Sequence, residues 1–101
     1  MGRVKMDLPM TAILDFCRKW RITEFSLFGS ILKEDFGPGS AVDVLVALAP
    51  DAPWSLFEWM DMIEELKLIF GREVDLVEKS GLRNPFRRKA ILDDREILYA
   101  A

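Results

Sequence analysis

The sequence predicts a small α/β (α+β) fold, a mixed β-sheet of three to four strands packed on helices. Three observations predict it. Short apolar runs at 22–28, 42–48 and 73–78 carry the alternation of pleated strands. Apolar residues at three- and four-residue spacing fill the stretches before and between them, as on one face of a helix. Clusters of Gly and Pro mark the joins. The 101 residues are 50% hydrophobic, which suits one domain over 1–101 with a modest core.

Residues 1–6 read as a loose tail. Pro9 and Thr11 open a helix that runs to about Trp20, with Ile13, Phe16, Cys17 and Trp20 on its apolar face. Cys17 on that face is a small hydrophobe rather than a reactive thiol, because nothing nearby would lower its pKa. Ile22–Phe28 forms the first strand, and Gly29-Ser30 turns out of it into a short helix over 30–33. Asp35 to Ser40, with two glycines and a proline, reads as a mobile connection. Val42–Leu48 is the second strand.

A long helix follows, from Trp54 or Ser55 to about Phe70. Leu56, Trp59, Met60, Ile63, Leu66 and Phe70 mark its expected buried stripe. Gly71 ends it in the left-handed manner typical of glycine. Glu73–Glu78 is the third strand, with Val74 and Leu76 on one face and Asp75 and Val77 on the other. After a loop over 80–83, Asn84 caps and Pro85 starts the last helix. Ile97-Leu98-Tyr99 is an apolar tail that docks on the body.

Composition narrows the chemistry. With no histidine, zinc sites built on imidazole and Ser-His catalysis are excluded. The single cysteine excludes an internal disulfide, and the start of the chain does not read as a signal peptide, so a cytoplasmic location is expected. No apolar run is long enough to span a bilayer, so no membrane is expected. A net charge of -3 argues against direct nucleic-acid binding by phosphate neutralisation.

The chemistry-bearing residues concentrate between 25 and 48 and at 75. Gly29 lets the backbone turn sharply and lets a ligand approach, and the Ser30 hydroxyl with the amides behind it could face an anion. Asp43 opens an apolar strand, where burial and β-propensity would both prefer another residue. Asp75 does the same in Val74-Asp75-Leu76-Val77. A strand-edge acid in solvent is the plain alternative for each, but two such acids beside a Gly-Ser turn are hard to produce by patterning alone.

Gly29-Ser30, a ten-residue gap and then Ala41-Val42-Asp43 before Val-Leu-Val resembles the signature of polymerase-beta-type nucleotidyltransferases, and most of all their smallest branch, the minimal nucleotidyltransferases. The resemblance runs through nearly the whole chain, to Asn84-Pro85-Phe86-Arg87 and Ile97-Leu98-Tyr99. It implies an antitoxin that attaches AMP from ATP to a tyrosine hydroxyl of a HEPN-type ribonuclease toxin. It implies Gly29 and Ser30 at the β- and γ-phosphates and Lys33 against the triphosphate, with a solvated surface lysine as the plain alternative for Lys33. It implies Asp43 and Asp75 as catalytic and metal-binding carboxylates for two Mg²⁺ ions, with Asp75 able to take the acceptor proton.

The family pattern has Asp-x-Asp where this chain has Ala41-Val42-Asp43. Ala41 stands where a third metal ligand is expected, so little or no transferase activity is expected of the chain as written. Two origins stay open: a natural pseudoenzyme, or alanine substituted into an active parent. The alternative function is a catalytically inactive binding module that neutralises its partner by contact alone. Transfer to tRNA or an aminoglycoside is disfavoured, because such enzymes carry an added acceptor-binding domain. The basic cluster of Arg83, Arg87, Arg88 and Lys89 reads as a solvated helix face, with phosphate or acidic-partner contact as its functional reading. Base preference and a homo-oligomeric state stay open.

Overall fold

The strand Ile22–Phe28 (β1) takes a partner on each side, and the sheet grows from it. The structure is a computed structural model and describes residues 4–101. β1 pairs antiparallel with Val42–Leu48 (β2) and antiparallel with Glu96–Ala100, here numbered β4. Val74–Glu78 (β3) lies parallel to β2, giving the order β3-β2-β1-β4. The expected docking tail at 97–99 is therefore a hydrogen-bonded edge strand.

Alternation along each strand sorts the side chains between two faces. Phe25 and Leu27 of β1, Val42, Val44 and Val46 of β2, and Val74 of β3 enter the main core. There they meet Ile13, Phe16 and Cys17 of the helix Met10–Lys19 (α1) and Met62, Leu66 and Phe70 of the helix Leu56–Phe70 (α2). Burial pushes the Cys17 thiol up to about 12, so it stays protonated at neutral pH.

The start of α2 follows the capping logic of its sequence. Ser55 Oγ accepts from the Phe57 N–H, and the Glu58 carboxylate accepts the Ser55 N–H. Gly71 closes the helix at φ 69°. The buried stripe differs from the expected one. Trp59, Met62, Leu66, Ile69 and Phe70 face the core, while Leu56 is 70% and Met60 55% exposed. The helix is apolar almost all round, with Phe57 and Leu68 also exposed, so spacing alone could not orient it.

The second face of the sheet is partly covered. The helix Pro85–Asp94 (α3), capped by Asn84 Oδ1 at the Phe86 and Arg87 amides, buries Ile91 against Leu45 and Leu82. Phe28, Val77 and Leu92 pack around this smaller cluster. The acid-bearing end of β2 and β3 lies beyond it.

Two more expectations need correction. In the tail expected over 1–6, Val4 and Met6 pack on the core and the Lys5 N–H donates to the Ile31 carbonyl at 3.0 Å; residues 1–3 lie outside the described residues. The connection over 35–40 is pinned rather than loose. Arg72 Nη1 donates to the Gly37 and Ser40 carbonyls at 2.9 and 3.1 Å, and its guanidinium lies 4.5 Å from the Phe36 ring centroid. Among the described residues, no helix is long and apolar enough to cross a membrane.

Candidate active site

Strand β1 stops at Phe28 because the next residue turns away with a positive φ of 73° at Gly29. Glycine is required there twice over. The left-handed backbone disfavours a side chain, and a methyl built on Gly29 would overlap Asp43 Oδ2. The register explains the closeness: Phe28 is the β-partner of Asp43. The space left by the missing side chain is where the Asp43 carboxylate sits.

Asp43 is in turn the partner of Asp75 across the parallel β2–β3 ladder. Paired residues of adjacent strands project to the same face, so the two carboxylates stand side by side. Asp43 is half-buried and Asp75 exposed. The Asp43 carboxyl is raised above its ordinary value of 3.8, first by burial and second by the charge of Asp75. The Ser30 N–H, donating to the carboxylate, and the charge of Arg87 both pull it back down.

Ser30 contributes differently from expectation. Its amide serves Asp43, and its hydroxyl donates to the Ala41 carbonyl at 3.4 Å, tying the turn to the residue before β2. Residues 29–32 form a short 3-10 turn, and Lys33 follows it in extended conformation with its N–H on the Ser30 carbonyl. Lys33 therefore lies outside the short helix expected over 30–33. Lys33 is exposed and borders a cavity of about 220 Å³ with Phe28, Gly29, Ala90, Ile91 and Asp94. A second cavity, about 240 Å³, lies at the far end of the same strands beside Ala47, Lys79 and Arg88, away from the acids.

Of the residues expected at the site, Gly29, Ser30, Asp43 and Asp75 are brought together, and Lys33 lines the cavity beside Gly29. Ala41 precedes Asp43 by two residues and offers a methyl group. Among the described residues no group of three or more Asp, Glu, His or Cys could hold a metal ion. The donor set does not fit a pair of hard cations bridged by three carboxylates, although two adjacent carboxylates remain for a single ion.

Arg87 was expected to be one of four cations on a solvated helix face, with phosphate contact as the functional reading. Its charge reaches Asp43. The signal was its spacing: Arg87 precedes Ala90, Ile91 and Asp94 by three, four and seven residues, all on one helical face.

Residues 10–98 match the family model described as nucleotidyltransferase domain. Over 81 residues the chain is 31% identical to the protein adenylyltransferase MntA of Thermococcus cleftensis, covering 80% of this chain and 77% of the relative. Over 76 residues it is 32% identical to a Methanocaldococcus jannaschii protein provisionally named a protein adenylyltransferase, covering 75% and 76%. Its fold is similar to a chain in the structure of a tri-AMPylated Shewanella oneidensis HEPN toxin in complex with MNT antitoxin. That likeness has a TM-score of 0.65 at 19% identity, over 91% of this chain and 70% of the other.

Proposed function

The chain belongs to the nucleotidyltransferase domain family, and from that premise we propose that it is a cytoplasmic antitoxin of the adenylyltransferase type, acting on a HEPN-type toxin. The reaction is transfer of AMP from ATP to a tyrosine hydroxyl of the toxin, releasing pyrophosphate. The observation that carries this reading is the convergence of Asp43 and Asp75 beside the Gly29-Ser30 turn.

Each residue has a part that follows from its surroundings. Gly29 leaves the backbone bare where phosphates must come close. Asp75 is exposed beside Asp43 and can take the proton of an incoming hydroxyl. Asp43, held by the Ser30 amide, is fixed in direction rather than free to rotate. Lys33, lining the cavity beside Gly29, can meet the outer phosphates. In the Ala41→Asp chain, Mg²⁺ held by positions 41, 43 and 75 would supply positive charge to the phosphates.

Ala41 limits the transfer. A methyl in place of a carboxylate removes a ligand, so the chain as written transfers AMP slowly or not at all. Co-expression with the toxin and intact-mass measurement test this. Ala41→Asp should add one or more AMP units to the toxin, and the parent chain few or none. An unmodified toxin with both chains refutes the transferase reading. The second reading, neutralisation by contact alone, is favoured by the lack of a three-acid cluster among the described residues. It predicts a tight complex with unmodified toxin.

A further inference from the structure

One carboxylate is missing from the acidic end of the sheet, and one cation has been brought to it. Ile91 of α3 is buried against Leu45, which shares a face of β2 with Asp43. Ala90, Ile91 and Asp94 border the cavity beside Gly29. Arg87 stands one turn earlier on that same face of α3, and its charge is felt at Asp43, which pairs with Asp75. The neighbouring cations are committed elsewhere: Arg88 Nη1 donates to the Lys79 carbonyl at 3.0 Å, and Lys89 pairs with Asp93 at 2.5 Å. Arg87 is exposed, so its guanidinium can meet a ligand without first leaving a buried partner.

Resting on the reading above, we propose that Arg87 binds the phosphates of a nucleoside triphosphate in place of a divalent ion, so that this chain holds nucleotide without metal. Guanidinium is planar, always charged and able to grip two phosphate oxygens at once. Three carboxylates at this spot would repel an anionic ligand and depend on cations to admit it. Two carboxylates and a guanidinium leave much less repulsion to overcome. The arrangement keeps binding and gives up the hydroxyl activation that metal chemistry provides.

The test is ATP affinity by calorimetry, in EDTA and in Mg²⁺. The parent chain should bind ATP in EDTA. Arg87→Ala should weaken that binding about tenfold or more, the loss expected for a charged hydrogen bond. Arg87→Lys should recover part of it, and Arg83→Ala should leave it unchanged. Ala41→Asp in Mg²⁺ separates the inference from the reading beneath it. If Ala41→Asp binds ATP with Mg²⁺ while the parent in EDTA does not, or while Arg87→Ala binds as the parent does, the role of Arg87 is overturned and the nucleotide site stands. If neither chain binds ATP under any condition, the nucleotide site itself is overturned, and Arg87 with it.

Discussion

Gly29→Ala adds one methyl group at the most constrained point of the chain. Two costs follow from separate features. An L-residue at φ 73° costs roughly 1–2 kcal/mol relative to glycine. The new methyl also overlaps Asp43 Oδ2, and pushing a packed group aside costs about 1–3 kcal/mol more. The sum, about 2–5 kcal/mol, is a large part of the stability of a small domain. Gly71→Ala isolates the first cost: φ is 69°, and nothing lies within 4 Å of the added carbon. The second is isolated by Asp43→Ala, because the Cβ of residue 43 lies at an ordinary 3.5 Å. Urea unfolding followed by circular dichroism gives the stabilities of the unsubstituted chain, the three single variants and the double variant. Gly29→Ala should lose about 1–3 kcal/mol more than Gly71→Ala, and that excess should vanish in the Asp43→Ala background. Equal losses at positions 29 and 71, or an excess that survives without the carboxylate, would refute the placement of Asp43 under the turn.

Asp43 also makes stability depend on pH. Its folded pKa is raised, so the stability it contributes is present below its ordinary 3.8 and is lost as pH rises through the folded value. Asp43→Asn should therefore raise the Tm at neutral pH, with the gain fading as the pH falls through the raised folded value and gone below 3.8; a pH-independent difference contradicts the burial and Asp75 repulsion assigned to it. Arg72→Ala removes two carbonyl contacts and a ring contact at Phe36, an expected loss of about 2–3 kcal/mol. Amide hydrogen exchange over 36–40 should quicken with it, and unchanged exchange would show that the connection is ordered by something else.

Much of the fold was legible because its signals are local. β1 and β2 begin and end where alternation meets Arg21, Gly29 and Pro50, and Ser55, Gly71 and Asn84 cap helices by bonds within a few residues. The face of α2 was not legible, since Leu56, Phe57, Met60 and Leu68 obey a helical period as well as the residues that are buried. The connection over 35–40 looked mobile because its Gly and Pro are visible and Arg72, far along the chain, is not an obvious partner. The second cluster, of Leu45, Leu82 and Ile91, joins segments whose patterns do not mention one another.

The sequence by itself determined the Gly29-Ser30 turn and the two acid-bearing apolar strands, and through its resemblance to nucleotidyltransferases it implied one site for Gly29, Ser30, Asp43 and Asp75, with Ala41 where a ligand is expected. Tertiary structure alone decided that Asp43 fills the space under Gly29, that Asp75 stands beside it, and that Arg87 reaches the same end of the sheet. Turns, caps and strand alternation are set by steric and hydrogen-bond preferences spanning a few residues. Register and helix docking are set by the burial of the whole apolar surface at once, which no short stretch encodes.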